Sequence, residues 1–236
     1  IDIPDNGGHK HPPFVRKRVF TLLSPEQHRM YESMKKSFIA YLEDKACVAQ
    51  IALTRALRLQ QILCGFFVDD EGNVHKFEKN PRLEALKDIL ESIGQEHKII
   101  IWTTFRDTYA DIENLLLDMG IGYSTLYGGM TDRKRQDAVD NFNLDPNYRV
   151  LVANQAAGGT GVNLTAATYA IYFSRTYSLQ DDTQSEGRCY RGGSEVHEKI
   201  TRIDIVAPDT LDEIILDCLA RKENLANNIL RIKDSL

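Results

Sequence analysis

Two stretches of the 236-residue chain hold residue types suited to phosphate chemistry. The first, Ala156-Ala157-Gly158-Gly159-Thr160-Gly161-Val162-Asn163-Leu164, follows the apolar run Val150-Leu151-Val152-Ala153. Glycines there let the backbone approach a ligand closely and offer it N–H groups. The second, Gln184-Ser185-Glu186-Gly187-Arg188-Cys189-Tyr190-Arg191, reads as a helix after the apolar run Tyr169–Phe173. The i, i+3 spacing puts Arg188 and Arg191 on one face of it, with Gln184 one turn before Arg188. Two such guanidinium groups can neutralise charge on a transferred phosphoryl group. The plainer readings are a tight turn for the glycines and two solvated surface charges for the arginines. No G-x-x-x-x-G-K-[ST] loop occurs, and the glycine cluster does not match a dinucleotide fingerprint after a first strand. The chain reads as half of a nucleotide-driven machine.

The elements that must position these residues alternate. Residues 1–13 read as a linker and 14–23 as a strand. Ser24-Pro25-Glu26 supplies an N-cap, a proline at the first helical position and an acidic first turn, so a helix starts at Pro25. A second helix is expected over 47–64. Phe66-Phe67-Val68 and Val74–Phe77 flank the turn residues Asp69-Asp70-Glu71-Gly72-Asn73, which predicts a hairpin rather than an acidic Mg²⁺ site. Helices over 81–93, 106–119, 131–142 and 179–191 then alternate with strands over 98–102, 123–127, 149–153, 169–173 and 200–207. A closing helix is expected over 211–230. Such alternation implies right-handed crossovers and an α/β, mainly parallel sheet covered on both faces, with ligands at the strand C-termini. The organisation expected is a linker with its first strand (1–23), a helical insertion with hairpin (24–80) and an α/β lobe (81–236).

Composition narrows the classes. Hydrophobic residues make up 42% and charged residues 27%, which fits a globular chain. No run of 18 apolar residues and no signal-like segment occurs, so no membrane partner is expected. The net charge of -5 leaves nucleic-acid binding to local clusters of Lys and Arg. Cys47, Cys64, Cys189 and Cys218 are too far apart for a C-x-x-C zinc site, so packed reduced thiols and no metal site are expected. The first residue is Ile1, which suggests a start inside a longer protein.

Taken together, the motifs from 81 to 225 resemble the second, C-terminal RecA-like lobe (helicase C-terminal domain) of Swi/Snf-type ATPases of helicase superfamily 2. Ile99–Phe105 resembles motif IV of that family, and Tyr127-Gly128-Gly129-Met130-Thr131, with Arg135 and Phe142-Asn143, resembles the segment after it. Ala157–Ala167 is similar to motif V, and Gln184-x-x-Gly-Arg188-x-x-Arg191 to motif VI. Thr210-Leu211-Asp212-Glu213 resembles the terminal segment, and Leu57-Arg58-Leu59-Gln60-Gln61-Ile62 the helical insertion. Tyr177-Ser178-Leu179, where eukaryotic remodellers usually have Trp-Asn-Pro, points to bacterial and phage members. Tyr190 replaces the usual histidine, and Gly192-Gly193-Ser194 the usual Ile-Gly-Gln.

The resemblance implies an ATP-dependent translocase on double-stranded DNA. Its partners would be that DNA and an N-terminal RecA-like lobe, which would hold most of the contacts to ATP and Mg²⁺. Here Arg188 and Arg191 would be catalytic, Gly159, Gly161 and Gln184 would lie near the nucleotide, and Thr103, Thr104, Gly128, Gly129, Asn154, Thr160 and Asn163 would contact DNA phosphates. The place of work would be the cytoplasm of a bacterial or phage-infected cell, at the nucleoid. This lobe alone would be inactive. The alternatives are a docking module that hydrolyses nothing, or lobe two of another superfamily 2 RNA or DNA helicase.

Overall fold

The computed structural model describes residues 12–43, 48–156, 162–223 and 229. Its centre is a six-stranded parallel sheet in the order β1-β8-β7-β4-β6-β5. The strands are β1 (Phe14–Phe20), β4 (Lys98–Trp102), β5 (Tyr123–Leu126), β6 (Val150–Ala153), β7 (Ala167–Tyr172) and β8 (Ile200–Val206). The helices are α1 (Pro25–Glu43), α2 (Ala49–Leu63), α3 (Pro81–Ser92), α4 (Asp107–Asp118), α5 (Asp132–Leu144), α6 (Leu179–Cys189) and α7 (Leu211–Ala220). β2 (Phe66–Val68) and β3 (Val74–Lys76) form a separate antiparallel hairpin. Asp69 makes its turn, accepting from the N–H groups of Glu71 (3.0 Å) and Asn73 (2.8 Å). The α/β, RecA-like architecture is the one expected.

Alternation along the strands divides the core between the two faces. On one, Ile99, Ile101, Val150, Val152, Ile171, Ile203 and Ile205 pack against α3 and α4 through Leu86, Ile89, Leu90, Ile112 and Leu116. On the other, Ile100, Trp102, Leu151, Ala153, Ala170 and Tyr172 meet Val139 and Phe142 of α5 and Cys189 of α6. Each fully buried aliphatic or aromatic side chain here contributes about 1.5–3 kcal/mol. A third cluster joins α1 and α2 to α7 through Tyr31, Phe38, Leu59, Ile62, Leu211 and Ile215. Cys64, Cys189 and Cys218 are free thiols, and burial pushes those of Cys64 and Cys189 up to about 12.

Local chemistry sets the helix starts. Ser24 Oγ accepts from the Gln27 N–H (3.3 Å) while Gln27 Oε1 accepts from the Ser24 N–H (3.1 Å), a reciprocal cap. Asn80, Thr131, Ser178 and Thr210 cap α3, α5, α6 and α7. Two helix C-termini fall short of expectation by two residues or more. α7 stops at Ala220, not at residue 230: Arg221 caps it and Lys222 takes a positive φ of 58°, which a helix cannot contain. α6 stops at Cys189, not at residue 191, because Tyr190 leaves helical geometry (φ −110°, ψ 80°) and Gly193 turns the chain at φ 104°.

Candidate functional site

The end of α6 forms one centre of the site. Ser178 Oγ accepts from the Asp181 N–H (3.2 Å), and Asp181 and Asp182 lie in the first turn, where the positive end of the helix dipole favours them. Asp182, Ser185, Arg188 and Cys189 are buried, while Gln184 is exposed one turn before Arg188. Arg188 is 5% exposed; Arg191 is exposed. Because the helix ends at Cys189, the two arginines do not share a helix face, and Arg191 belongs to the turn that follows. They are nevertheless close enough to repel. Burial first, then the charges of Arg135 on α5 and of Arg191, lower the Arg188 pKa, with Asp181 opposing. Arg135 is thus a third cation of this centre.

The loop between β6 and β7 ties this centre together. The Leu164 N–H donates to the Arg188 carbonyl (3.1 Å), and Asn143 Nδ2 at the end of α5 donates to the Asn163 carbonyl (2.8 Å). His197 Nε2 meets the Thr165 carbonyl at 2.6 Å, so the turn after α6 is held to the same loop. Gly159, Thr160 and Gly161 lie outside the described residues.

The expected DNA contacts divide between two places. Thr103, Thr104, Gly128, Gly129 and Asn154 follow the C-terminal ends of β4, β5 and β6. Gly128 and Gly129 form an exposed turn, with φ 86° at Gly129. Thr103 is fully buried and its hydroxyl meets those of Thr108 (2.5 Å) and Ser174 (3.3 Å), so its side chain lies beneath the loop. Asn154 spends both ends of its amide within the protein, donating to the Thr104 carbonyl (2.9 Å) and accepting from the Ala156 N–H (2.8 Å). Asn163 is exposed near the start of β7, away from that edge, and its Oδ1 accepts from the Thr165 N–H (3.2 Å).

Sequence reading missed two sets of residues. Arg106, at the start of α4, is exposed and lies over the Tyr127 ring (4.8 Å), between Thr104 and the Gly128–Gly129 turn. Arg133 and Lys134, in the first turn of α5, are exposed beyond that turn. The second set lies under α6. Arg202 of β8 is 4% exposed and donates to Asp182 (2.8 Å), Glu186 (2.6 Å) and Asp204 (3.3 Å). Arg175 pairs with Asp182 (3.3 Å) and Asp204, and Tyr172 lies beneath both guanidinium groups. The available signals were two carboxylates four apart on α6 and the Arg202–Asp204 i, i+2 pair on one strand face.

Residues 81–193 match the helicase conserved C-terminal domain. The chain is 28% identical over 222 residues to an uncharacterized ATP-dependent helicase of Mycoplasma pneumoniae, covering 93% of this chain and 21% of that protein. It is 27% identical over 211 residues to the ATP-dependent helicase fft2 of Schizosaccharomyces pombe, covering 89% and 15%. It therefore spans about a fifth or less of these relatives. Among solved structures it resembles the C-terminal part of the Fun30 ATPase domain (TM-score 0.73, 17% identity, covering 95% of this chain and 97% of that one). It also resembles the Sulfolobus solfataricus SWI2/SNF2 ATPase core in complex with double-stranded DNA (TM-score 0.74, 23% identity, covering 94% and 48%).

The family match covers residues 81–193, just under half of the chain. The chain's fold is the one those two solved structures share. Bacterial relatives stand beside eukaryotic ones of similar identity, so the expected leaning toward bacterial and phage members holds only in part.

Proposed function

We propose that this chain is the second lobe of an ATP-driven motor on double-stranded DNA, in which Arg188 and Arg191 act on a nucleotide shared with a first lobe. The observation that carries this reading is the burial of Arg188 beside two like charges, Arg135 and Arg191. Guanidinium groups gathered at one place match the charge and the donor geometry that a polyphosphate needs. The donor set therefore fits ATP. Bound ATP with Mg²⁺ supplies a terminal phosphoryl group that passes to water, and the first lobe would hold the P-loop and the metal carboxylates. Arg188, fixed through its carbonyl, would donate to the oxygens that gain charge during transfer, and Arg191 would approach from the turn. Gln184, Gly159 and Gly161 would line the same nucleotide.

The second half of the proposal concerns DNA. Thr104, the N–H groups of the Gly128–Gly129 turn and Arg106 would meet backbone phosphates, with Arg133 and Lys134 adding charge. Thr160 and Asn163 would add contacts from the loop between β6 and β7, and Thr103 and Asn154 would support the Thr104 segment from within the protein. Such contacts fix position on a duplex without reading its sequence. Support comes from the relatives' names, ATP-dependent helicases, and from the Sulfolobus core in complex with double-stranded DNA.

The test is ATP turnover by this chain alone and after addition of a separately produced first lobe, each with and without duplex DNA. The proposal expects none from the chain alone and DNA-stimulated turnover from the pair. Turnover by the chain alone that survives purification would overturn it.

A further inference from the structure

We propose that Arg202, acting through Asp182 and Glu186, is the positioning group that sets the rotation and height of α6 and so aims Arg188. The inference rests on the reading of Arg188 given above.

One guanidinium spans two carboxylates on successive turns. Asp182 and Glu186 are four residues apart, about 6 Å of helix rise. Arg202 Nη2 takes the first at 2.8 Å and Nη1 the second at 2.6 Å. Rotating α6 by one residue, about 100°, or sliding it by a turn would break at least one of the two bonds. Both carboxylates are gripped again from other elements. Arg175 Nη1 takes Asp182 at 3.3 Å, and Arg16 Nη2 of the edge strand β1 takes the second oxygen of Glu186 at 2.6 Å. Asp204 anchors the two buried arginines from below, and Ser185, between the paired carboxylates, meets the Tyr172 hydroxyl at 3.0 Å.

Arg16, Arg175 and Arg202 balance Asp182, Glu186 and Asp204, so the network holds no excess charge to attract a ligand. Buried ion networks add little net stability over apolar packing of the same volume, but they fix geometry. What this one fixes is α6, two residues before Arg188. The other side of the arginine is fixed by the Leu164 N–H on its carbonyl. An arginine acting on a developing charge loses about 10²-fold when misplaced by about 1 Å, so a helix held from both sides has a functional consequence.

The test uses the protein with both lobes. Glu186→Gln keeps the shape and removes one charge at a residue whose side chain is 22% exposed. It should lower ATP turnover about tenfold while KM for ATP stays within about threefold and the melting temperature changes little. Arg16→Gln, which cuts only the outer contact, should fold normally and lower turnover by about threefold. The same Glu186→Gln change in an Arg188→Ala background should have no further effect, because its influence passes through that arginine. Independently of activity, hydrogen exchange at the Leu164 amide should quicken in Glu186→Gln while the β4 and β6 amides stay protected. Equal fold losses in both backgrounds, parental turnover in Glu186→Gln, or unchanged exchange would overturn the inference. Parental turnover in Arg188→Ala alone would remove the arginine reading itself, and the positioning role with it.

Discussion

Arg82 and Asp212, 130 residues apart, form a buried ion pair that joins the first turn of α3 to the first turn of α7. Arg82 is 2% exposed and also donates to the carbonyls of Phe173 (2.6 Å) and Ile205 (3.3 Å) at the ends of β7 and β8. Asp212 accepts from the Ala207 N–H (3.0 Å). The pair therefore fixes the sheet edge beneath the loop that leads into α6.

Replacing Arg82 with Met should cost about 3–5 kcal/mol of folding stability, because Asp212 is left as an uncompensated buried charge. The double variant Arg82→Met with Asp212→Leu should lose less than the sum of its parts. Denaturant titrations of the three variants measure both values. Additive losses would mean the two side chains do not act as a pair.

The fold was legible wherever caps and periodicity act locally. Ser24, Asn80, Thr131, Ser178 and Thr210 each announce a helix, and the starts fall within a residue or two of where they point. Placement across the sheet was not legible. β1 pairs with β8 from Phe14↔Ile200 to Phe20↔Val206, and no local pattern states a pairing across that distance. Motif order likewise does not say where a crossover loop runs, so Asn154 and Asn163, nine positions apart, fall toward different ends of the strands. The burial of Arg188 and the ion network beneath it depend on packing between α5, α6 and β8, although the i, i+4 carboxylates on α6 were a visible hint. The end of α6 was readable in retrospect, since Gly192-Gly193 directly follows Arg191.

Duplex binding by this chain should be weak, indifferent to sequence and largely lost by about 0.2 M salt, since it would rest on phosphate contacts in a chain of net charge -5. Arg106→Ala should weaken binding equally on unrelated duplexes and reduce the slope of log K against log salt by about one. Fluorescence anisotropy at several ionic strengths reads both quantities. A flat salt response, or loss confined to one sequence, would move the DNA surface away from Arg106.

The most direct measurement is ATP turnover by the protein with both lobes, carrying Arg188→Ala or Arg191→Ala, at saturating duplex DNA. Groups that act mainly on the transition state lower kcat far more than they raise KM. The expected result is a fall in kcat on the order of 10³–10⁵ for Arg188→Ala, and a large fall for Arg191→Ala, with KM for ATP little changed. Turnover within threefold of the parent in either variant would contradict the role assigned to that arginine. If both variants retained it, the chain would not be the arginine-bearing half of an ATP site.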